Sequence, residues 1–154
     1  MTRVLVLLAL LFTQAAHVQG AHAQGAQAQG MPDEPAFTEH RLALQISDNT
    51  AAKQALVLSV AANVLKAYGL DKVAIEVVAF GPGLDLLNRD NPNASKIQDL
   101  VREGVRFDAC LNTIATIERE TGKPFPLNPN AHKVEAGIVQ IITLVEHGYT
   151  NVRP

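Results

Sequence analysis

Val73-Ala74-Ile75-Glu76-Val77-Val78-Ala79-Phe80-Gly81-Pro82-Gly83 is the stretch whose reading decides the fold. Up to Phe80 it is nearly all apolar and rich in β-branched residues. That pattern suits a strand covered on both faces, as at the centre of a parallel sheet. Gly81-Pro82-Gly83 ends it sharply. Upstream, Arg41-Leu42-Ala43-Leu44-Gln45-Ile46 alternates and reads as a first strand. Ser47-Asp48-Asn49-Thr50 is a loop, with Asn49 or Thr50 capping the helix that follows. That helix is expected from Ala51 to Tyr68, with Leu56, Val57, Val60, Ala61, Val64 and Leu65 as its apolar stripe and Gly69 as its stop.

The same alternation continues downstream. Leu84 to Leu87 reads as a short helical turn, broken by Asn91-Pro92-Asn93. Ser95 and Gln98 have capping-box spacing, opening a helix that carries Ile97, Leu100 and Val101 and stops at Gly104. A third strand, Val105 to Cys110, runs into a helix from about Asn112 to Thr121. A Pro-rich loop then leads to a short strand at His132-Lys133-Val134-Glu135. The next helix starts near Ala136-Gly137 and is expected to bury Ile138, Ile141, Ile142 and Val145. Tyr149 to Val152 is a last short strand. Strands alternating with helices, joined by right-handed crossovers, make a mainly parallel sheet with helices on both faces. Strand order does not follow from the pattern.

The first part of the chain reads differently. Met1-Thr2-Arg3 is a short positive start, and Val4 to Phe12 is an unbroken apolar run. A bilayer span needs roughly 20 apolar residues, so this is the length of a signal-peptide core and not of an anchor. Ala21-His22-Ala23 offers a cleavage site, and residues 1–23 are read as an export leader, which points to the bacterial periplasm. Residues 24–39, with Gln-Gly-Ala repeats and Met31-Pro32-Asp33-Glu34-Pro35, read as a disordered linker before a single domain at residues 40–154. The formal net charge of −2, with no basic run and no aromatic residues interleaved with Arg or Lys, speaks against nucleic acid.

The cysteine count gives the sharpest chemical lead. Cys110 is the only cysteine, so no intramolecular disulfide can form. It lies where a strand meets a helix, and that edge of a parallel sheet is where ligands bind. Amides at a helix start favour a thiolate. The same edge collects Ser47, Asp48 and Asn49, then Gly81, Pro82 and Gly83, then Asn112, Thr113 and Gly137. Asp48 and Asn49 read as a polar wall beside a thiol lying open at the rim, or simply as helix-capping residues. The Gly-Pro-Gly turn lacks the spacing of a phosphate loop or a dinucleotide fingerprint, so no cofactor is called for. His132 has a position from which it can approach Cys110. No third or fourth ligand has sensible spacing, so no metal is expected. A small buried cysteine is the bland alternative to a reactive one.

From about Arg41 to Pro154 the chain resembles the DsrE/DsrF-like family of small sulfur-metabolism proteins. The resemblance rests on Gln45-Ile46-Ser47-Asp48-Asn49, on Ile75 to Gly83, on Gly104 to Thr113, on Ala136-Gly137-Ile138-Val139, and on Val152-Arg153-Pro154. It implies a three-layer α/β/α domain with a five-stranded, mainly parallel sheet, assembled as a homo-oligomer, a trimer or hexamer. It also implies that Cys110 carries sulfane sulfur as a persulfide, exchanged with a relay partner protein. A carrier or binding protein fits better than a turnover enzyme, because no second catalytic group accompanies the cysteine. Two other readings stand beside it: an oligomeric small-ligand-binding module with a structural cysteine, and an envelope structural partner.

Overall fold

The computed structural model, which describes residues 34–154, buries all seven residues of its central strand β2 (Val73–Ala79). The leader and the linker as far as residue 33 lie outside the described residues. Around β2 the chain runs β1 (His40–Ile46), α1 (Ala51–Tyr68), β2, a 3-10 segment (Gly81–Leu87), α2 (Ala94–Arg102) and β3 (Arg106–Cys110). It continues with α3 (Leu111–Thr121), β4 (His132–Val134), α4 (Gly137–Glu146) and β5 (Thr150–Val152). The sheet order is β4-β3-β2-β1-β5, and every pairing is parallel. The fold is a three-layer α/β/α domain.

The strand order distributes the helices. Steps from β1 to β2, β3 and β4 all move one way across the sheet, so right-handed crossovers put their helices on one face. The return from β4 to β5 crosses back over three strands and puts α4 on the other face. The cores match this division. Leu44, Ile75, Val77 and Phe107 pack with Leu58 and Ala61 of α1, Ile97 of α2 and Ile114 of α3. Ala43, Ala74 and Val78 pack with Ile141 and Leu144 of α4 and with Tyr149. The second core is small because one helix alone supplies it.

That asymmetry corrects the expectation for α4. Ile141 is buried as expected, but Ile138, Ile142 and Val145 are about half exposed, together with Val139. The helix is apolar on nearly all sides, and a single sheet face can cover only one of them. Leu144 takes the buried place. In α1 the stripe is rotated in the same way: Leu56 is exposed, while Leu58 and Gln54 are buried. Gln54 is tolerated inside because its amide is satisfied. Its Nε2 donates to Asp85 Oδ2 at 3.0 Å, and its Oε1 accepts from Asn91 Nδ2 at 3.1 Å and Asn93 Nδ2 at 3.2 Å. This network ties the loop after the 3-10 segment to α1. The capping box does not form. Asn93, not Ser95, precedes α2, and no side chain caps it. Thr50 does cap α1, accepting from Lys53 N at 3.3 Å.

Residues read as linker also contact the domain. Glu34 pairs with Arg41 at 2.7 Å and accepts from the Tyr149 hydroxyl at 3.1 Å. The amide of Glu39 donates to Lys72 O at 2.8 Å.

Gly83 marks the tightest approach in the fold. A Cβ built there lies 2.4 Å from Ile46 O and 2.8 Å from Ser47 Cα, both backbone atoms that cannot give way. Gly83→Ala is therefore expected to push the 3-10 segment off the end of β1. Denaturant unfolding should show a loss of about 1–3 kcal/mol, the usual cost of overpacking.

Candidate functional site

Cys110 ends β3 and is also the N-cap of α3. In a parallel sheet that double role comes from the chain turning directly from strand to helix, with no intervening loop. Along β3 the side chains alternate, so Phe107 and Ala109 enter the large core. Arg106, Asp108 and Cys110 face the α4 side. The thiol is therefore set under α4 and not under α1, α2 or α3.

Four groups near Sγ favour its anionic form. The amides of Asn112 and Thr113 belong to the first turn of α3, and the amide of Gly137 to the start of α4; the Asn112 amide donates to Glu135 O at 3.3 Å. The fourth is the Thr113 hydroxyl. That hydroxyl accepts from Gly81 N at 3.0 Å, which leaves its proton free for the sulfur. Gly81 has φ +53°, a backbone shape that favours glycine and turns its amide toward α3. Burial pushes the Cys110 thiol up, but the Thr113 hydroxyl and the three amides outweigh it and hold the pKa below the ordinary thiol value. No side-chain cap hydrogen bond closes onto the neutral thiol, which is a weak acceptor. The same donors strengthen as charge builds on sulfur.

Gly137 is what allows α4 to come so close. A Cβ there lies 3.0 Å from Phe80 Cβ and 3.0 Å from its ring. Phe80 follows β2 directly, so β2, β3 and the start of α4 meet around the sulfur. The result corrects the expectation of an open thiol: Cys110 is only 5% exposed. The start of α4 shields it.

The structure brings together only part of the residue set read from the sequence. Gly81, Asn112, Thr113 and Gly137 surround Cys110. Gly83 and Ser47 touch through backbone, and Pro82 is an exposed residue in the first turn of the 3-10 segment. Asp48 forms no wall beside the thiol; it pairs with Arg153 at 3.0 Å, both side chains half exposed. β1 is separated from β3 by β2, which places Asp48 two strands away. Asn49 is exposed and leaves capping to Thr50. His132 is level with Asp108 in the sheet register, at the opposite end of β4 from Val134, which partners Cys110. No thiol–imidazole couple forms. Among the described residues no group of three His, Cys, Asp or Glu side chains is arranged to hold a metal ion, and no helix is long and apolar enough to cross a membrane.

A second polar cluster on the α4 side was not singled out in the sequence. Glu76 and Asp108, on adjacent strands, are 1% and 0% exposed. Gln140 Nε2 donates to both, to Glu76 Oε2 at 3.1 Å and to Asp108 Oδ2 at 3.3 Å. Arg106 Nε donates to Asp108 Oδ1 at 2.9 Å. Glu76 Oε1 is buried without a partner. Burial, then the hydrogen bond and the charge of Asp108, push the Glu76 carboxyl up to about 8. At neutral pH Glu76 therefore holds a proton. A lone Glu in an otherwise apolar central strand was the available signal, but its partner depends on strand order.

These features define a parallel-sheet α/β protein with a shielded, acidified thiol at a strand–helix junction. No family model matches the chain. No curated protein matches it either. Among solved structures it is similar to MTH1491, a protein of unknown function from Methanobacterium thermoautotrophicum. The two are 28% identical with a TM-score of 0.67, over 75% of this chain and 100% of that one.

The thiol cradle makes a prediction. Thr113→Val removes the hydroxyl but keeps the shape, and should lower the thiolate fraction at pH 7 about fivefold, the worth of one hydrogen bond. Thr113→Ser should restore it. Absorbance at 240 nm, taken as a difference against Cys110→Ser, reads the fraction directly.

Proposed function

We propose that this protein carries sulfane sulfur as a persulfide on Cys110. The observation that carries the reading is the place of Cys110 at the N-terminus of α3, where the Thr113 hydroxyl and nearby helix-start amides hold its pKa below the ordinary thiol value. A cysteine kept only for packing has no use for such a set of donors. The chemistry is a balanced exchange. The Cys110 thiolate attacks the outer sulfur of a persulfide or polysulfide, a new S–S bond forms, and the old one breaks. The donor leaves as a thiolate, or as a polysulfide shorter by one sulfur, with the bonding electron pair. An acceptor thiolate then attacks the terminal sulfur and returns Cys110 to its starting state, so no external oxidant or reductant is consumed. The cradle suits both anions, the thiolate and the persulfide. Loading requires the first turn of α4 to move aside.

The readings of export to the periplasm and of a relay partner belong to this proposal. So does self-association. The exposed apolar stripe Ile138, Val139, Ile142 and Val145 supports packing between copies, as a trimer or hexamer.

The shielding of Cys110 favours a second reading, a non-catalytic binding module in which the cysteine is structural. One experiment separates the two. The protein is incubated with polysulfide and its intact mass measured before and after reductant. Added sulfur that is lost on reduction, and absent in Cys110→Ser, is the expected result. A folded protein that gains no sulfur, and whose thiol reacts with alkylating reagents only after denaturation, would establish the structural reading.

A further inference from the structure

The buried cluster at Glu76, Asp108 and Gln140 has no part in the persulfide exchange itself, yet it sits under the same helix. Gln140 is three residues beyond Gly137, about one helical turn. The helix that supplies the Gly137 amide to Sγ is thus anchored one turn later by Gln140 to the two carboxyls. Asp108 and Cys110 are also two residues apart on one face of β3. The start of α4 is also held by β4, paired with β3 as far as Val134, by the Asn112 amide donating to Glu135 O at 3.3 Å, and by Gly137 against Phe80; Gln140 adds a polar tie from the helix to the sheet. The helix's apolar anchors, Ile141 and Leu144, come after Gln140, and Ile138 and Val139 point outward.

The cluster is balanced for one charge and no more. Arg106 offsets a single carboxylate, Asp108. The other charged and titratable groups around it are already engaged. Glu34 lies on the segment before β1 and is paired with Arg41 of β1. The Tyr149 hydroxyl, ahead of β5, donates to Glu34 and not to Glu76. His147, at the end of α4, has its Nδ1 2.7 Å from Thr143 O. Beside Glu76, Tyr149 and Arg106 is a cavity of about 10 Å³, large enough for one water and nothing bigger. A second ionised carboxyl in this place has no cation left to face.

We propose that Gln140 and the carboxyl pair it bridges are positioning groups for the thiol. A neutral Glu76 beneath Gln140 keeps α4 seated, and the seated helix holds the Gly137 amide near Sγ. The pair thereby links proton concentration to the state of the sulfur site. The proposal rests on the reading of Cys110 as a functional thiolate, but it is tested by separate measurements.

The direction follows from proton linkage. With α4 lifted, Glu76 meets water and ionises near its ordinary value of 4.5; with α4 seated it holds its proton up to about 8. The seated state binds more protons in that window, so seating weakens as pH rises through it, then levels off. Amide exchange of α4, corrected for intrinsic rates, should show opening that increases by up to about tenfold per pH unit across this window. In Glu76→Gln, a neutral side chain of the same shape, opening should be independent of pH. Gln140→Leu should lower the thiolate fraction at pH 7 about fivefold by withdrawing the Gly137 amide, while Glu76→Gln keeps it. Wild-type opening that does not change with pH would overturn the proposal, and so would a folded Gln140→Leu with an unchanged thiolate fraction. If Gln140→Leu does not fold, the comparison of wild type with Glu76→Gln decides alone. Sulfur loading is a distinct readout: a protein that takes up no sulfur but still shows these shifts retains the clamp and loses only the carrier role.

Discussion

How near α4 can lie to the sheet governs the character of the sulfur site. Gly137 packs against the Phe80 ring with no room for a side chain, and this closeness brings a helix start over Cys110. α3 contributes its own first turn from the other side. Two helix starts therefore favour negative charge on one sulfur, and the Gly81 amide of the 3-10 segment fixes the Thr113 hydroxyl by donating to it. The arrangement exists because β3 leads into α3 without a loop and because β4 is short enough to bring α4 in at the same edge. A bulkier residue at 137 would meet the Phe80 side chain first.

The two faces of the sheet have different duties. The face under α1, α2 and α3 holds most of the buried apolar volume and supplies the stability of the domain. The α4 face holds a small apolar cluster, the carboxyl pair and the thiol. Buried polar groups cost stability unless they are fully satisfied, and here one carboxylate oxygen has no partner. A fold that needed this face only for packing would fill it with valine and isoleucine, as it does on the other side. The polar content is concentrated along β2 and β3, beneath the one helix that also touches the sulfur.

The outer side of α4 completes this asymmetry. Its Ile138, Val139, Ile142 and Val145 are four of the nine exposed large hydrophobic residues of the described domain. A helix with apolar residues on both sides lies between two layers when both are present. Contact on the outer side would press on the same helix that the carboxyl pair holds from within.

Much of this was legible in the chain itself. Periodicity located the strands and α-helices to within a residue or two, because apolar spacing and glycine stops are local properties; the 3-10 segment begins at Gly81, three residues before the turn read at Leu84. Periodicity also placed Cys110, Thr113, Gly81 and Gly137 at one edge, since all strands of a parallel sheet end on the same side. What the chain did not disclose depends on which strands are neighbours. Asp48 belongs to β1 and is kept from the thiol by β2, so it turns to Arg153. Glu76 and Asp108 meet only because β2 and β3 are adjacent and in register. The exposure of α4 and the shielding of Cys110 follow from the long return from β4 to β5, which leaves one helix alone on its face. Local sequence determined what each segment is and which way its side chains alternate. The tertiary structure decided which of those side chains face one another, because that choice is made by contacts between residues far apart in the chain.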